Sequence, residues 1–296
     1  MKLKDLMLKI IRPLSVPLTS LVLKWHYKGR KRLSNTGDVK KVLVLAPHMD
    51  DETIGPGGTI RSHANEGSEV HCVFITDGSS SVSDLSKDEL IKARKQEIEN
   101  VKEILGVKQV HYMGLSDGHV ISNHESQDIM LGIINEVKPD LIYSPLFVDA
   151  HPDHTATANI LADVLKKNNY NDYLVRMYEI NCAIPPNYIN CVVDVSSTIK
   201  YKREAIDEFI SQTIAFDGFL ILNKYKSNLV SSANPTAVEV FLELSGSEVV
   251  KHRQLLSNQT NRYQYLFKQI NREETLLWAL FKNYRRKKDI YMRMFE

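Results

Sequence analysis

The sequence predicts an α/β fold, in which helices cover both faces of a mostly parallel sheet. The first observation is that short apolar runs alternate along the chain with longer stretches of helical periodicity. The second is that these runs are almost continuously apolar, as strands buried on both faces of a sheet must be. A chain of 296 residues, of which 43% are hydrophobic, can bury the core that this architecture needs. We therefore expect a single Rossmann-like catalytic domain with helical N- and C-terminal extensions.

The predicted strands are spread through the middle of the chain. They lie at 41–46 (KVLVLA), 69–76 (EVHCVFIT), 109–113 (QVHYM), 140–144 (DLIYS), 174–180 (LVRMYEI) and 191–195 (CVVDV). The predicted helices between them lie at 58–65, 86–105, 124–137, 154–167 and 197–212. The helix at 86–105 begins with a capping box, because Glu89 comes three residues after Ser86, and Gly106 marks its end. A possible further strand, AVEVFLEL, begins at about residue 236 and is followed by helix into a basic end.

The formal charge of +2 is unevenly distributed. Residues 1–33 contain nine Lys or Arg residues against Asp5 alone, a net +8, and residues 282–296 carry +4, which leaves −10 for residues 34–281. A body this acidic repels phosphate, so the composition argues against nucleic-acid binding. We divide the chain into a basic amphipathic N-terminal segment (1–33), the catalytic domain (34–245) and a helical, basic C-terminal extension (246–296).

The N-terminal segment is apolar as well as basic. Its run LMLKIIRPLSVPLTSLVLKW is interrupted by Lys9, Arg12, Pro13 and Pro17. A membrane-spanning helix needs about 20 mostly uncharged residues, and a secretory signal needs an unbroken apolar region before its cleavage site, so neither fits. Two interpretations stay open: a helix packed on the domain, and a segment that lies on an anionic membrane surface. In the second, the prolines predict two short helices joined by a bend.

The three cysteines are scattered through apolar runs and form no CxxC pair. An odd and scattered set argues against a disulfide framework and is typical of a reducing compartment. It also argues against a thiolate zinc site. We therefore expect a cytoplasmic protein, with peripheral membrane contact through the basic N-terminal segment as the second option.

The first predicted strand ends in a cluster of polar residues. His48 is followed within four residues by three acids, Asp50, Asp51 and Glu52. Folding alone does not require a histidine and three carboxylates at the end of a buried strand. In open α/β sheets, however, sites form beyond the carboxyl ends of the strands.

A second polar cluster, HPDH at 151–154, follows the predicted strand at 140–144. Parallel strands present their carboxyl ends along one edge of the sheet, so clusters that are distant in sequence can meet there. Either cluster alone could be a polar turn or a helix cap. The occurrence of both, each after an apolar strand, indicates a site.

Two imidazoles and one carboxylate are the ligand set of a hydrolytic zinc site that keeps one coordination position open. His48 and Asp51, three residues apart across a turn, can point at one ion, and His154 can complete the set from the start of a helix. We therefore predict Zn2+, or another divalent ion, as the cofactor.

The other polar residues of the two clusters have the chemistry of acid–base catalysts. Asp50 can lean over a water molecule as general base, because Asp51 takes the direction of the ion. His151 can hydrogen-bond an oxyanion or donate a proton, and Asp153 can fix the tautomer of His151.

At these residues the chain resembles the PIG-L or LmbE-like family of zinc-dependent N-acetylglucosaminyl deacetylases. The first family motif reads APHMDDE here, with Met49 in place of the usual proline, and the second motif, HPDH, is intact. Other similar runs lie between about 40 and 245: GG at 57–58, ITDG at 75–78, RKQE at 94–97, ILG at 104–106, MGLSDG at 113–118 and the run from Val193 to Gln212.

The resemblance implies roles for individual residues. Zinc ligands would be His48, Asp51 and His154, with Asp50 as general base and His151 as oxyanion stabiliser. Substrate binding is implied for Arg94 and Asp117. Otherwise Arg94 would pair with Glu97 or Asp77 on the surface, and Asp117 would shape a turn. Glu52 would either cap a helix or support a ligand histidine.

The resemblance implies a hydrolase that removes the acetyl group from N-acetylglucosamine, or a related N-acetyl sugar, in a glycoconjugate or glycolipid intermediate. Acetate and a free amine would be released. Ser79 stands where relatives often have an acid, so the sugar contacts can differ. Two other classes stay open: a metal-dependent phosphoesterase, which would need further bridging acids, and a non-catalytic sugar-binding scaffold, which predicts loss of a ligand or of the base.

Overall fold

The computed structural model describes residues 3–80, 83, 85–211, 215–257 and 263–296, so Gln212 at the end of the run from Val193 lies outside it. The described strands are β1 (Lys41–Ala46), β2 (Glu69–Thr76), β3 (Gln109–Leu115), β4 (Leu141–Pro145), β5 (Leu174–Tyr178), β6 (Cys191–Asp194) and β7 (Val238–Ser245). The described α-helices are α1 (Leu3–His26), α2 (Asp51–Ile54), α3 (Gly57–Asn65), α4 (Lys87–Leu105), α5 (His124–Val137), α6 (Pro152–Lys167), α7 (Ile199–Asp207), α8 (Asp217–Lys226), α9 (Gly246–Leu256), α10 (Tyr263–Leu266), α11 (Leu276–Phe281) and α12 (Tyr284–Phe295).

The strands form one sheet in the order β3-β2-β1-β4-β5-β7-β6. Neighbours among β1 to β5 are parallel, whereas β7 runs antiparallel to both β5 and β6. The predicted α/β fold with a mostly parallel sheet is confirmed. The insertion of β7 between β5 and β6 is not predictable from the apolar runs, because their order along the chain does not show which strands become neighbours.

The strand order reverses at β1. From β1 the chain moves outward through β2 to β3, and it then returns to place β4 and β5 on the other side of β1. Such a reversal leaves a crevice at the carboxyl ends of the two strands that flank it, which is where open α/β sheets bind ligands. Here these strands are β1 and β4, and the two polar clusters follow them.

Local sequence explains where the elements that flank the crevice begin and end. Residues 42–46 of β1 are fully buried, as expected at the centre of a sheet that is covered on both faces. The predicted capping box of α4 is present between Ser86 and Glu89, and Gly106 ends that helix in the left-handed conformation. Pro152 begins α6, at a position where a missing N–H costs no helical hydrogen bond.

A buried ion pair fixes the turn between β1 and α3. Glu239 on β7 accepts hydrogen bonds from the N–H groups of Gly58 (3.0 Å) and Thr59 (2.8 Å) at the start of α3. Lys202 of α7 is fully buried and donates to Glu239 (2.6 Å) and to the carbonyl of Gly55 (2.9 Å). A buried charge is tolerated when a partner and hydrogen bonds compensate it. The late strand β7 therefore helps to position the loop that follows β1.

Helix α1 is continuous from Leu3 to His26, so the predicted division into two short helices is wrong. Pro13 and Pro17 are exposed, and water can bond to the carbonyl groups that the prolines leave without an N–H donor. The opposite side of the helix packs on the body, where Leu23 and Tyr27 are fully buried. Packing on this side keeps the helix continuous in spite of the prolines.

The C-terminal region also contributes to the core. Helix α9 packs on α6, β5 and β7, and α12 buries Lys287, Ile290, Tyr291 and Met294.

The three cysteines are buried free thiols. Among the described residues, no helix is both long and apolar enough to cross a membrane.

Candidate active site

The loop after β1 presents the first polar cluster to the crevice. The backbone N–H of His48 donates to Asp51 Oδ2 at 2.9 Å, and His48 Nδ1 lies 3.1 Å from the same oxygen. Asp50 occupies the N-cap position of α2, but its carboxylate makes no capping hydrogen bond. Aspartate at this position ordinarily caps the helix. The Asp50 carboxylate therefore remains available for other chemistry.

The loop after β4 presents the second cluster. His151 is the N-cap residue of α6, and its Nδ1 accepts a hydrogen bond from the backbone N–H of Asp153 at 3.3 Å. His154 follows in the first turn of α6 and is buried. The cap and the first turn together direct two imidazole rings towards the end of β1. The ring centroid of His151 lies 4.6 Å, and that of His154 lies 5.2 Å, from the ring centroid of His48.

Three atoms from the two loops converge on one point. His48 Nδ1 lies 3.1 Å from Asp51 Oδ2 and 3.2 Å from His154 Nε2, and His154 Nε2 lies 3.3 Å from Asp51 Oδ2. In a tetrahedral zinc site with bonds of about 2.0–2.1 Å, neighbouring ligand atoms are about 3.3 Å apart. The triangle has the size of one face of such a site, so these residues fit a zinc ion. They are the three residues that the sequence analysis predicts as ligands.

Carboxylates orient both of these histidines from the other side of the ring. His48 Nε2 lies 3.3 Å from Asp117 Oδ1 and 3.4 Å from Asp153 Oδ2. His154 Nδ1 lies 3.0 Å from Asp149 Oδ1. A carboxylate that accepts the proton of one ring nitrogen fixes the tautomer and leaves the lone pair of the other nitrogen for a metal. Once a metal replaces the proton on the inner nitrogen, both rings can therefore direct a lone pair towards the centre of the triangle.

Within the part of the chain that the structure describes, two other groupings of side chains could also hold a cation, namely His48, Asp117, Asp153 and His48, His151, His154. In the first, backbone groups already occupy the acids. Ser80 donates to Asp117 at 3.1 Å, and Gly118 and Val120 donate to Asp153 at 2.7 and 3.2 Å. We therefore assign Asp117 and Asp153 to the orientation of His48.

Asp149 and Asn181 belong to the site, although the sequence analysis does not identify them. Asp149 accepts hydrogen bonds from the backbone N–H groups of His151 (2.8 Å) and Asn181 (2.9 Å), and from the Asn181 amide (3.1 Å). Asn181 Nδ2 also lies 3.4 Å from His154 Nδ1. A signal for Asp149 exists in the sequence, since it is an acid two residues before HPDH. Asn181 follows β5 and stands in no motif.

His48 and His154 hold the surrounding acids in their charged forms. Burial is the largest single influence and raises the pKa of each acid, but for Asp51 and Asp149 the charge of His154 and several hydrogen bonds together outweigh it and lower the pKa of both. For Asp117 and Asp153 the hydrogen bond from His48, the charge of His48 and backbone hydrogen bonds together outweigh burial, so that the pKa of Asp117 falls to about 2 and that of Asp153 below its usual value. With Asp50 there are five buried aspartates around these two histidines. A bound divalent cation would offset the excess of negative charge.

Asp50 differs from these acids. Burial, and then the charge of Asp51, raises the pKa of Asp50 to about 6, against the opposing charges of Arg94, His48 and His154. An acid in this range can both take up and release a proton near neutral pH. A pKa in this range suits the general base that the sequence analysis predicts at Asp50.

His151 is neutral near pH 7. Burial, followed by the charges of His154 and His48, lowers the pKa of His151 to about 4. Because its Nδ1 accepts the N–H of Asp153, the ring proton of His151 is assigned to Nε2. Asp153 thus sets the tautomer of His151, as the sequence analysis expects, and it does so through its backbone N–H.

Arg94 joins the loops that follow β1 and β2. Its guanidinium donates to the carbonyl groups of Gly78 (3.2 Å) and Met49 (3.1 Å), and its side chain is only 1% exposed. The alternative interpretation from the sequence, which places Arg94 on the surface, is therefore wrong. Gly78 has a φ of +70°, and a Cβ there would lie 2.8 Å from the Arg94 guanidinium, so the contact requires glycine.

Glu52 has neither of the roles that the sequence analysis considers. It is buried and accepts a hydrogen bond from the Thr53 hydroxyl at 2.6 Å, so its partner is a neighbouring side chain rather than a helix N–H or a ligand histidine. Burial raises the pKa of Glu52 to about 8. This carboxyl group is thus largely protonated at pH 7.

Comparisons with known proteins agree with this arrangement. The family model described as PIG-L, GlcNAc-PI de-N-acetylase, matches residues 43–165, which include both polar clusters. The chain contains a PIG-L family domain. The PIG-L domain extends from β1 into α6, so it includes all three predicted metal ligands and all three predicted catalytic residues, Asp50, His151 and Asp153.

The relatives of the PIG-L domain include deacetylases of N-acetylated sugars. The diacetylchitobiose deacetylase of Thermococcus kodakarensis is 37% identical over 122 residues, which are 40% of this chain and 46% of that protein, or about half of its length. The solved N,N'-diacetylchitobiose deacetylase from Pyrococcus horikoshii has a TM-score of 0.63 at 24% identity, over 83% of this chain and 94% of that chain.

The same fold also occurs in a different enzyme. GalB, the 4-carboxy-2-hydroxymuconate hydratase from Pseudomonas putida, has a TM-score of 0.58 at 17% identity, over 69% of this chain and 95% of that chain. At such identities the likeness shows the fold alone. Function therefore has to be argued from the site.

Proposed function

We propose that the protein is a metal-dependent N-deacetylase. Its substrate would be an N-acetylglucosamine unit, or a related N-acetyl sugar, in a glycoconjugate or glycolipid intermediate, and its products acetate and a free amine. One observation carries the proposal: His48 Nδ1, Asp51 Oδ2 and His154 Nε2 form a triangle of metal-site size at the reversal point of the sheet. The PIG-L domain and the named activities of its relatives support the class of substrate.

His48, Asp51 and His154 would hold the ion, and two nitrogen donors with one oxygen donor suit zinc. Zinc in such a site supplies a Lewis acid for a carbonyl oxygen and lowers the pKa of water from 15.7 to about 7. Asp117 and Asp149 keep the two imidazoles in the tautomers that ligation needs.

Asp50 would take the proton of the attacking water. Its carboxylate is adjacent to the ligand Asp51, makes no capping hydrogen bond and has a pKa raised to about 6. Water adds to the acetamide carbon, the C–N bond breaks, and the proton held by Asp50 passes to the departing nitrogen. Asp50 is thereby returned to its charged form.

His151 would stabilise the oxygen of the tetrahedral intermediate. It is neutral and carries its proton on Nε2, so it can donate a hydrogen bond without itself being charged in the resting site. Its ring centroid lies 4.6 Å from that of His48 and 4.9 Å from that of His154, which places it beside the ligand triangle. Amides are poor electrophiles, so a donor aimed at the developing oxyanion contributes substantially to the rate.

Arg94 and Asp117 would position the site rather than bind the sugar directly. The sequence analysis assigns both to the substrate, but the structure buries both side chains. Arg94 bonds to the backbone of two loops, and Asp117 faces His48 Nε2 at 3.3 Å. In these places they hold the loops and the ring on which the chemistry depends.

The test is to incubate the zinc-loaded chain with a panel of N-acetylglucosaminyl compounds and to measure free amine and acetate together. We expect equal release of the two products, loss of activity after chelation, recovery with zinc, and about one ion per chain. His154→Ala should lose both the ion and the activity. His124→Ala, which alters an exposed histidine at the start of α5, should keep both.

The same experiment separates the alternatives. Hydrolysis of phosphate esters, together with two ions per chain, would favour a phosphoesterase. A zinc-loaded chain that binds the sugars but releases no amine would favour a sugar-binding scaffold. Either result would overturn the proposed deacetylase.

A further inference from the structure

Helix α1 has an exposed apolar stripe, made of Leu14, Leu18, Leu21 and Trp25. These side chains are 79, 54, 58 and 75% exposed. Intervals of four, three and four residues place them along one side of a helix. The buried residues Thr19, Leu23 and Tyr27 face the other way, so the α1 stripe points away from the body.

An apolar stripe of this length is unusual on a soluble surface. Leu14 and Trp25 are eleven positions apart, which is about 17 Å along a helix, and all four side chains of the stripe are large. Single exposed apolar residues are common, whereas contiguous ones mark surfaces that contact a partner or a membrane. Packing of α1 on the body does not need these residues, because the opposite side provides it.

The charge around the α1 stripe is positive. Lys24, Lys28, Arg30 and Arg32 are exposed on the last turn of α1 and just after it. Lys28 Nζ lies 5.9 Å from the centre of the Trp25 ring. Residues 12–33 contain six Lys or Arg residues and no acid, whereas residues 34–281 carry a net −10. The helix is thus a local basic surface on an acidic body.

The exposed apolar stripe and the positive charge beside it together favour one kind of binding partner. Two copies of the chain that met through the α1 stripe would bring together two segments of net +8, and like charges oppose such a contact. An anionic bilayer accepts both features, since the apolar side chains enter the boundary of the acyl chains and the cations meet the headgroups. Tryptophan also favours the membrane interface.

We propose that the α1 stripe binds an anionic lipid surface, with Lys24, Lys28, Arg30 and Arg32 on the headgroups. The helix lies in the plane of the surface and keeps its packed side on the body. The proposal does not depend on the proposed deacetylase activity. It rests on the exposure of the stripe and on the charge beside it.

The first test is flotation of the full chain with vesicles of phosphatidylcholine alone or with 30% phosphatidylglycerol (about a third anionic lipid, to give a negative surface). We expect binding to the anionic vesicles only, and weaker binding as salt is raised, because salt screens exposed charges. Leu18→Gln with Leu21→Gln should weaken binding about tenfold or more, since two large side chains lose their apolar burial.

The matched control is Ile210→Gln with Leu255→Gln, which removes two exposed apolar side chains elsewhere on the surface. This variant should bind vesicles as the unmodified chain does. Thermal unfolding of both double variants shows whether each remains folded. Equal binding by the two double variants, or no binding of the unmodified chain to anionic vesicles, would overturn the proposal.

The second test uses fluorescence. The chain has two tryptophans, so Trp278→Phe leaves Trp25 as the single reporter. Transfer of Trp25 into lipid should shift its emission to shorter wavelength with anionic vesicles and leave it unchanged with phosphatidylcholine alone. A Trp25 emission that does not respond would overturn the proposal. The proposal would also be overturned if the unmodified chain formed a dimer without lipid and the double variant Leu18→Gln with Leu21→Gln were a monomer. A second copy of the chain would then cover the α1 stripe.

Discussion

At the scale of single residues, two neighbouring acids have opposite chemistry. Asp51 faces two imidazole nitrogens, and its pKa is lowered by His154 and His48 in spite of burial. Asp50 lies beside it without such a partner, and burial with the charge of Asp51 raises its pKa to about 6. Pairs of titratable groups whose environments drive their pKa values apart are characteristic of acid–base sites. This difference supports assigning Asp51 to the metal and Asp50 to proton transfer.

The first prediction concerns Asp50→Asn. The substitution keeps the size of the side chain and leaves the ligand triangle intact, so the metal should stay bound. Turnover should fall by about 10²–10⁴-fold, the usual contribution of a general base. Metal content and kcat are measured on the same preparation, with Asp51→Asn for comparison. A metal-free but folded Asp50→Asn protein would mean that the two acids have exchanged roles.

The second prediction concerns Asp149→Asn. Asp149 accepts hydrogen bonds on both oxygens, so an amide there places an N–H group against another donor and disturbs His154 Nδ1. Metal affinity should fall by about 10–100-fold, as for other groups that orient a ligand histidine. Affinity is measured by competition with a chelator. Asp128→Asn, on the exposed side of α5, is the control and should leave the affinity unchanged.

At the scale of elements, helix α1 has two sides in different environments. Leu23 is fully buried against the body, and two residues earlier Leu21 is 58% exposed in the α1 stripe. The Tyr225 hydroxyl reaches the Ser20 hydroxyl at 2.6 Å on the packed side. The sequence left a packed helix and a membrane-surface segment as alternatives for residues 1–33. The packed side supports the first, and the α1 stripe is the basis of the membrane proposal.

The third prediction compares two leucines of α1. Leu23→Ala should lower the free energy of unfolding by about 2–5 kcal/mol, because it removes a buried side chain and leaves a cavity. Leu21→Ala should change it by no more than about 0.5 kcal/mol, because that side chain is mostly in water. Urea denaturation of both variants provides the measurement. Equal effects of the two substitutions would show that α1 does not pack as described.

At the scale of the whole molecule, the sequence predicts the parts that follow local rules. The bounds of β1, β2 and α5 agree with their apolar runs, and the capping box of α4 agrees with Ser86 and Glu89. The convergence of the two polar clusters follows from parallel strands that end at one edge. Asn181 and the place of β7 are not predictable in this way, because both depend on which distant segments become neighbours in space. The burial of Arg94 is not predictable from the sequence for the same reason, since it depends on two loops that meet above this side chain.

The last prediction concerns the link between the metal and the stability of the whole fold. His48 and Asp51 follow β1 and His154 follows β4, so an ion bound by all three joins the two sides of the reversal point. An ion at about 1,000 times its Kd adds about 4 kcal/mol to the folded state. Each kcal/mol raises the Tm of a domain of this size by about 2–4 °C, so chelation should lower the Tm by roughly 10 °C. The Tm of His154→Ala should respond little to chelator, whereas that of His124→Ala should respond as the unmodified chain does. If chelation lowered the Tm of His154→Ala as much as that of the unmodified chain, the ion would bind outside this triangle, and the ligand assignment would then be wrong.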